Sequence, residues 1–210
     1  GSRLARWRRG GGAGLVIKSV RCGSGASKIV VSQPFREGRD QHDAETMPAV
    51  EIVPITQDHI ESFHRALDFV ARERRYLAFL EAPPPEQTRA FVLNNIRQGY
   101  PQLVAVSEGE VVGWCDIVPN PRPIYAHVGV LGLAILPEFR RQGIGGRLIR
   151  QALDAAKAFG LHRVELTVRE NNVVAIQLYK KFGFAVEGVQ RKRILVEGVY
   201  ENLVLMGLLL

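Results

Sequence analysis

One stretch of this 210-residue chain limits its folding more than any other. An apolar run, Val128 to Leu136, is followed closely by Arg140-Arg141-Gln142-Gly143-Ile144-Gly145-Gly146 and then by a helical run to Phe159. A strand this apolar is consistent with burial on both faces, hence with a sheet that carries helices on each side. The glycines let the chain turn from strand into helix. A new helix leaves its first N–H groups unpaired and its positive end exposed, so they converge on one spot. An anion-binding cradle is therefore expected over Arg141 to Gly146.

A second motif lies about thirty residues on, Asn172-Val-Val-Ala175-Ile-Gln-Leu178-Tyr179-Lys-Lys-Phe-Gly183-Phe184. Its tyrosine could supply a proton donor near the anion. An anion cradle beside an acid suggests group transfer from a phosphate-bearing cofactor. Between and around the motifs, periodicity predicts strands over Val50 to Ile55, Gln102 to Ser107, Val111 to Val118, Ala126 to Leu136 and His162 to Val168. Two more, Phe184 to Val196 and Val199 to Leu208, flank a hairpin-like Glu197-Gly198. A first helix carries Ile60, Phe63, Leu67 and Val70 on one face, capped by Thr56. A second, Glu86 to Gln98, carries Phe91, Val92 and Ile96. The order implies an α/β fold with a mixed sheet and helices on both faces.

Two familiar nucleotide folds fit poorly. Gly143-Ile-Gly145-Gly-Arg-Leu148 has leucine where a dinucleotide fingerprint has its third glycine, which would change helix–sheet packing. No Gly-Lys-Ser/Thr follows, as a P-loop requires. Nucleic acid is not the expected partner either, despite a net charge of +7. Residues 1–46 hold nine Lys/Arg against four acids, and the remainder nineteen against seventeen, so the basicity sits mostly at one end. Residues 1–46, with Gly10-Gly11-Gly12 and Gly23-Ser24-Gly25, read as a flexible appendage, and 47–210 as the folded domain. A tag scar, sequence upstream of Met47 or an organelle leader would each account for such an appendage. The apolar runs Leu15 to Ile17 and Ile29 to Val31 could still pair. Two cysteines and five scattered histidines give no disulfide framework and no metal site, so a cytoplasmic setting is the default. No apolar run is long enough to span a membrane.

With these two motifs in this order, residues 49–208 resemble the GCN5-related N-acetyltransferase family. Arg140, Gly143 and Gly145 match its Arg/Gln-x-x-Gly-x-Gly/Ala signature. Asn172, Ala175, Leu178, Tyr179, Gly183 and Phe184 match its later motif, and Gly198, Tyr200 and Met206 are typical of members that acetylate small amines and amino acids, the phosphinothricin-acetyltransferase-like branch. The resemblance implies a mostly antiparallel sheet of about seven strands and acetyl-CoA as co-substrate. It implies that backbone groups of Leu133, Ala134 and Ile135 hold the pantetheine arm like an added strand. Amides of Arg141, Gln142, Gly143, Ile144, Gly145 and Gly146 would bind the pyrophosphate, with charge from Arg140, Arg141 and Arg147. Asn172 would bind the cofactor or a bridging water, and Tyr179 would protonate the departing thiolate. Pairing of two copies through the C-terminal strands follows from the same resemblance.

The implied chemistry is direct attack of a neutral amine on the thioester, which needs a base to remove the ammonium proton. Some relatives use a glutamate. Here the two corresponding slots hold Val130 and Thr167, which cannot serve. Glu165, His127 and Asp116 are rival candidates, and a water chain is equally admissible. Segment Tyr76 to Glu81 is expected near the acceptor, and Arg72, Arg74 and Arg75 could clamp a carboxylate.

Overall fold

The computed structural model describes residues 49–210 in full and the backbone of residues 19–21 and 27–29. The chain divides into two units, Gly1–Thr46 and Met47–Leu210. In the first, β1 (Ser19–Arg21) pairs antiparallel with β2 (Ser27–Ile29). Of the two apolar runs singled out there, only Ile29 falls on a described strand; residues 15–17, 30 and 31 lie outside the described residues.

The second unit runs β3 (Glu51–Pro54), α1 (Ile60–Arg72), α2 (Pro85–Gln98), β4 (Gln102–Ser107), β5 (Glu110–Pro119), β6 (Val128–Ile135), α3 (Ile144–Phe159), β7 (Arg163–Arg169), α4 (Val173–Lys181), β8 (Ala185–Val196) and β9 (Val199–Leu209). Seven strands form one sheet in the order β3-β4-β5-β6-β7-β9-β8. Every neighbouring pair is antiparallel except β6 and β7. The mixed, mostly antiparallel sheet with helices on both faces is thus the one that the sequence implies.

Local chemistry explains the elements. A short 3-10 turn leads into α1, and there His59 Nδ1 accepts the Thr56 N–H at 3.0 Å, closing the turn around the expected capping residue. Ile60, Phe63, Leu67 and Val70 are all buried on the inner face of α1. The second helix differs from expectation. Val92 is buried, but Phe91 and Ile96 are 38% and 39% exposed. The buried residues of α2 are Thr88, Val92 and Asn95, spaced to lie on one side. Asn95 Nδ2 donates to Gln102 Oε1 at 2.9 Å, so a buried polar pair, not the aromatic side chain, sets how α2 turns toward the sheet.

Two cores lie on the two faces of the sheet. Against α3 and α4 pack Cys115, Ile117, Leu131, Val164, Leu166 and Met206, together with Leu148, Ile149 and Tyr179. Against α1 and α2 pack Val104, Trp114 and Ala134, with Phe63 edge-on to Trp114 at 5.3 Å between ring centroids. Alternation along a strand sends successive residues to opposite faces. Cys115 therefore faces α3, and Asp116 faces the α1/α2 side.

Strands β8 and β9 join through Glu197 and Gly198, both at positive φ (51° and 80°), the conformation a two-residue hairpin turn requires. The outer strand β8 carries exposed Val186, Val189 and Leu195. Among the described residues, no helix is long and apolar enough to cross a membrane.

Candidate active site

The parallel pairing of β6 and β7 is brief. Val128 meets Arg163, Gly129 meets Val164 and Val130 meets Glu165, and there the ladder stops. Both strands continue, β6 to Ile135 and β7 to Arg169, each still paired with its other neighbour. The sheet therefore splays open, and the edge of β6 from Leu131 to Ile135 has no strand beside it. An open edge offers backbone donors and acceptors in an extended row. Leu133, Ala134 and Ile135 lie along it, and the Ile135 carbonyl also accepts Arg140 Nε at 2.8 Å.

The cradle sits at the wide end of this crevice. The backbone N–H groups of Arg141, Gln142, Gly143, Ile144, Gly145 and Gly146 find no acceptor among the described residues; the first helical bond is Arg147 N–H to the Gly143 carbonyl at 3.2 Å. Arg141 and Gly143 stand at φ 62° and 79°, on either side of Gln142. Left-handed positions interleaved in this way tip consecutive N–H groups toward a common point. With the positive end of the sixteen-residue α3 behind them, they could hold a diphosphate-sized anion.

The glycines serve different ends. At Gly143 an added Cβ would touch nothing within 4 Å, so the left-handed backbone alone calls for glycine. At Gly145 a Cβ would lie 3.2 Å from Leu178 Cδ2 and 3.3 Å from Ile135 Cδ1, so close packing on α4 and β6 calls for it. Gly143→Ala should consequently lower stability by about 1–2 kcal/mol through backbone strain without any clash. A urea midpoint shifted at constant m-value checks this.

The arginines near the cradle are largely engaged. Arg140 Nη1 donates to Glu73 Oε2 at 2.9 Å and Nη2 to Glu73 Oε1, and its guanidinium lies 4.7 Å from the centroid of the Tyr76 ring. The Glu73 carboxylate raises the Arg140 pKa, against the opposing effect of burial. The structure thus joins Arg140 to the end of α1 and leaves its role as a phosphate ligand without geometric support. Arg147 Nη1 reaches the Val50 carbonyl at 3.2 Å, and Gln142 Nε2 the Glu138 carbonyl at 2.8 Å. Arg141 is exposed.

Asn172 caps α4, its side-chain oxygen accepting the Ala175 N–H at 3.2 Å. Tyr179, on the same helix, is 7% exposed and packs edge-on to Phe184 at 5.8 Å. Burial, with a smaller contribution from the nearby Cys115, pushes its phenol well above the ordinary tyrosine value. It remains protonated across the working pH range and can donate a hydrogen bond.

The three candidate bases occupy unlike places. His127 is exposed just before β6, and its carbonyl accepts the N–H groups of His162 and Arg163 at the closed end of the crevice. Glu165 stands opposite Val130 where the ladder ends; its side chain is 43% exposed and lies 3.6 Å from Arg163 Nε. Asp116 on β5 stands opposite Gly132 of β6. Its carboxylate oxygens lie 3.1 and 3.2 Å from where a Gly132 Cβ would be, so the carboxyl covers the glycine. Burial pushes its pKa up to about 7, against its own backbone N–H, which lowers it.

On the acceptor side, Arg72 pairs with Asp68 at 2.7 Å and Arg74 with Glu197 at 2.9 Å, while Arg75 lies 5.8 Å from the centroid of Tyr76. The expected carboxylate clamp is therefore not assembled from these three. A residue that sequence reasoning passed over is better placed. Arg169, 3% exposed at the end of β7, donates Nη1 to the Arg74 carbonyl at 2.8 Å and to Glu201 Oε2 at 3.2 Å, and Nη2 to the Leu77 carbonyl at 3.1 Å. It ties the segment after α1 to β7 and β9. An arginine ending an apolar strand gives no sequence signal of such a tie.

Comparison with known proteins agrees with this geometry. The chain is 36% identical over 105 residues to the L-amino acid N-acetyltransferase AaaT of Escherichia coli, covering 50% of this chain and 65% of the relative. It is 31% identical over 112 residues to N-alpha-acetyltransferase 20 of Dictyostelium discoideum, covering 53% of this chain and 57% of the relative. The matches thus span about three fifths of these relatives' lengths. A GNAT superfamily phosphinothricin acetyltransferase from Sinorhizobium meliloti, solved in complex with AcCoA, superposes with a TM-score of 0.72 at 18% identity, over 77% of this chain and 88% of that one, which is a likeness of fold. The sequence profile of the Acetyltransferase (GNAT) family matches residues 64–184. A splayed parallel pair, an unpaired amide cradle and this match together place the chain in the GNAT family of acetyltransferases.

Proposed function

We propose that this protein transfers an acetyl group from acetyl-CoA to the primary amine of a small molecule, an amino acid or an analogue. The observation that carries the reading is the run of unpaired amides from Arg141 to Gly146 opening onto the free edge of β6. Those two features fit a ligand with a diphosphate at one end and an amide-bearing arm at the other. The acyl donor supplies an activated thioester carbonyl. The chain's own residues do the rest. Leu133, Ala134 and Ile135 hold the arm as an added strand, and the cradle holds the diphosphate. An amide of β6 faces the carbonyl oxygen, where negative charge develops. Tyr179 donates to the sulfur from the α3/α4 side.

Small acceptors are favoured by the way the acceptor end is closed. Arg74–Glu197 joins the segment after α1 to the β8–β9 hairpin, and Arg169 joins that segment, through the Arg74 and Leu77 carbonyls, to Glu201 of β9. This leaves less room for a polypeptide than for an amino acid. The Escherichia coli relative, named for L-amino acids, supports the same class. A protein N-terminus is the second reading, favoured by the Dictyostelium relative's name.

The test is a screen of purified protein with acetyl-CoA against L-amino acids, polyamines and short peptides, following free thiol. Thiol release is expected with one or more amino acids or analogues. Release with peptides alone would establish the second reading. CoA binding without release above background for any amine would make the protein a binding module.

A further inference from the structure

We propose that Asp116 is the general base of this site, delivered from the neighbouring strand over Gly132 in place of the glutamate that Val130 and Thr167 do not provide. The inference rests on the acetyl-transfer reading above and deepens it. Its first support is position. Asp116 lies opposite Gly132, directly before the Leu133 to Ile135 edge. A strand residue and its cross-strand partner point to the same face, so the carboxyl projects from the α1/α2 side of β6. The Gly132 position has no side chain to exclude it, and both carboxylate oxygens occupy that space. Val130, in the glutamate slot, is two residues away on the same face.

The second support is the relation to Tyr179. Tyr179 clusters with Cys115, Ile117 and Leu131 beneath the opposite face. Asp116 and Tyr179 thus approach the crevice from its two sides. A base on one side can then deprotonate the amine that adds to the carbonyl, while a hydroxyl on the other meets the sulfur as the adduct collapses. His127, at the closed end of the crevice, does not share that placement.

The third support is protonation. From β4 Asp116 faces neutral Gln102, whose side-chain oxygen is taken by Asn95 of α2. From β6 it faces Gly132. Beyond β6 the nearest ionisable residue in register is Glu165, beside Val130. Cys115, its neighbour in sequence, is turned to the other face and kept protonated by burial. His64 of α1 is engaged with Thr88 of α2 at 3.0 Å. No side-chain charge holds the carboxyl low, and burial sets its value near neutrality. Above that value it is a carboxylate able to take a proton.

The Asp116 carboxylate removes one proton from the ammonium and frees the nitrogen lone pair. The nitrogen bonds to the thioester carbonyl carbon, and the carbon–sulfur bond breaks with its electron pair on sulfur. The second proton lost from nitrogen leaves on the thiol, whose sulfur accepts a hydrogen bond from the Tyr179 hydroxyl, and the proton on Asp116 returns to water.

The test compares wild type with Asp116→Asn and Gly132→Ala, using acetyl-CoA and the fastest amino-acid acceptor from the screen. In wild type, kcat/KM should rise with pH through an apparent pKa of about 7. Asp116→Asn should lower kcat about a hundredfold at pH 8 and abolish that limb, with acetyl-CoA affinity unchanged. Hydroxylamine, already neutral at pH 7, should lose far less in the same variant. Gly132→Ala retains the carboxyl but crowds it, and should lower kcat severalfold with the limb displaced. An Asp116→Asn enzyme within threefold of wild type, or slower with its limb intact, overturns the proposal and leaves acetyl transfer standing. Thermal unfolding supplies a reading independent of turnover. A carboxyl raised by folding costs nothing below about pH 4 and its full cost above about pH 7. Asp116→Asn should therefore gain in Tm over wild type between those limits, and an equal Tm difference at pH 4 and pH 8 counts against a buried, titrating Asp116.

Discussion

Tyr179→Phe should lower kcat about a hundredfold while leaving acetyl-CoA affinity nearly unchanged. The replacement keeps the ring, so the edge-on contact with Phe184 and its place in the α3/α4 core survive. Only the hydroxyl is lost. Because burial holds the phenol above its ordinary value, Tyr179 is protonated at every pH at which the enzyme is folded and active. In the proposed reaction it would contribute a standing hydrogen bond to the sulfur that gains charge, favouring the transition state over the bound substrate. Two consequences follow. The loss should appear in kcat and kcat/KM alike, and the pH profile should keep the Asp116 limb. Stopped-flow thiol release and equilibrium binding of CoA separate these effects. An unchanged kcat would remove Tyr179 from the reaction.

Leu148→Ala should destabilise the protein by about 2–5 kcal/mol, the cost of a large cavity in a rigid core. Leu148 is fully buried one turn inside α3, and Ile149, Ala152 and Ala156 are equally buried along the same helix. Together they hold α3 against β4, β5 and β6. The alanine variant removes packing directly behind the cradle. In a domain of this size a loss of that order lowers Tm by roughly 10 °C, readable by calorimetry. The amides of Arg141 to Gly146 depend on the seating of α3, so weaker CoA binding should accompany the loss as Tm is approached. A Tm within two degrees of wild type would mean that the core closes around the missing atoms.

Much of this architecture is visible as local pattern. The run from Val128, the glycines at 143 and 145, and the periodic apolar residues of α1 and α3 act over a few residues each, and they lie where their spacing implies. Leu148, which argued against a dinucleotide fold, fills the core where a third glycine would have left a gap. The partial failure at α2 has a local cause as well: apolarity pointed to Phe91 and Ile96, whereas the buried Asn95–Gln102 pair sets the face. Long-range partners of charged side chains were less legible. Nothing near Arg140 in sequence announces Glu73, 67 positions away, and nothing near Arg169 announces the carbonyls of Arg74 and Leu77.

The sequence by itself determined the family, the order of elements and where Gly143, Gly145 and Tyr179 fall within them, because helix starts, left-handed turns and buried strands are written in short-range residue choices. Only the tertiary structure decided where the sheet opens and what stands beside the opening. The splay arises because β7 leaves β6 after three paired residues while β9 continues to hold it, a matter of register between distant strands. Asp116 acquires its setting for the same reason. Its carboxyl lies over Gly132 with its pKa raised because pairing with β6 places a glycine opposite it and packing shields it from water, and neither is a property of the residues next to it in the chain.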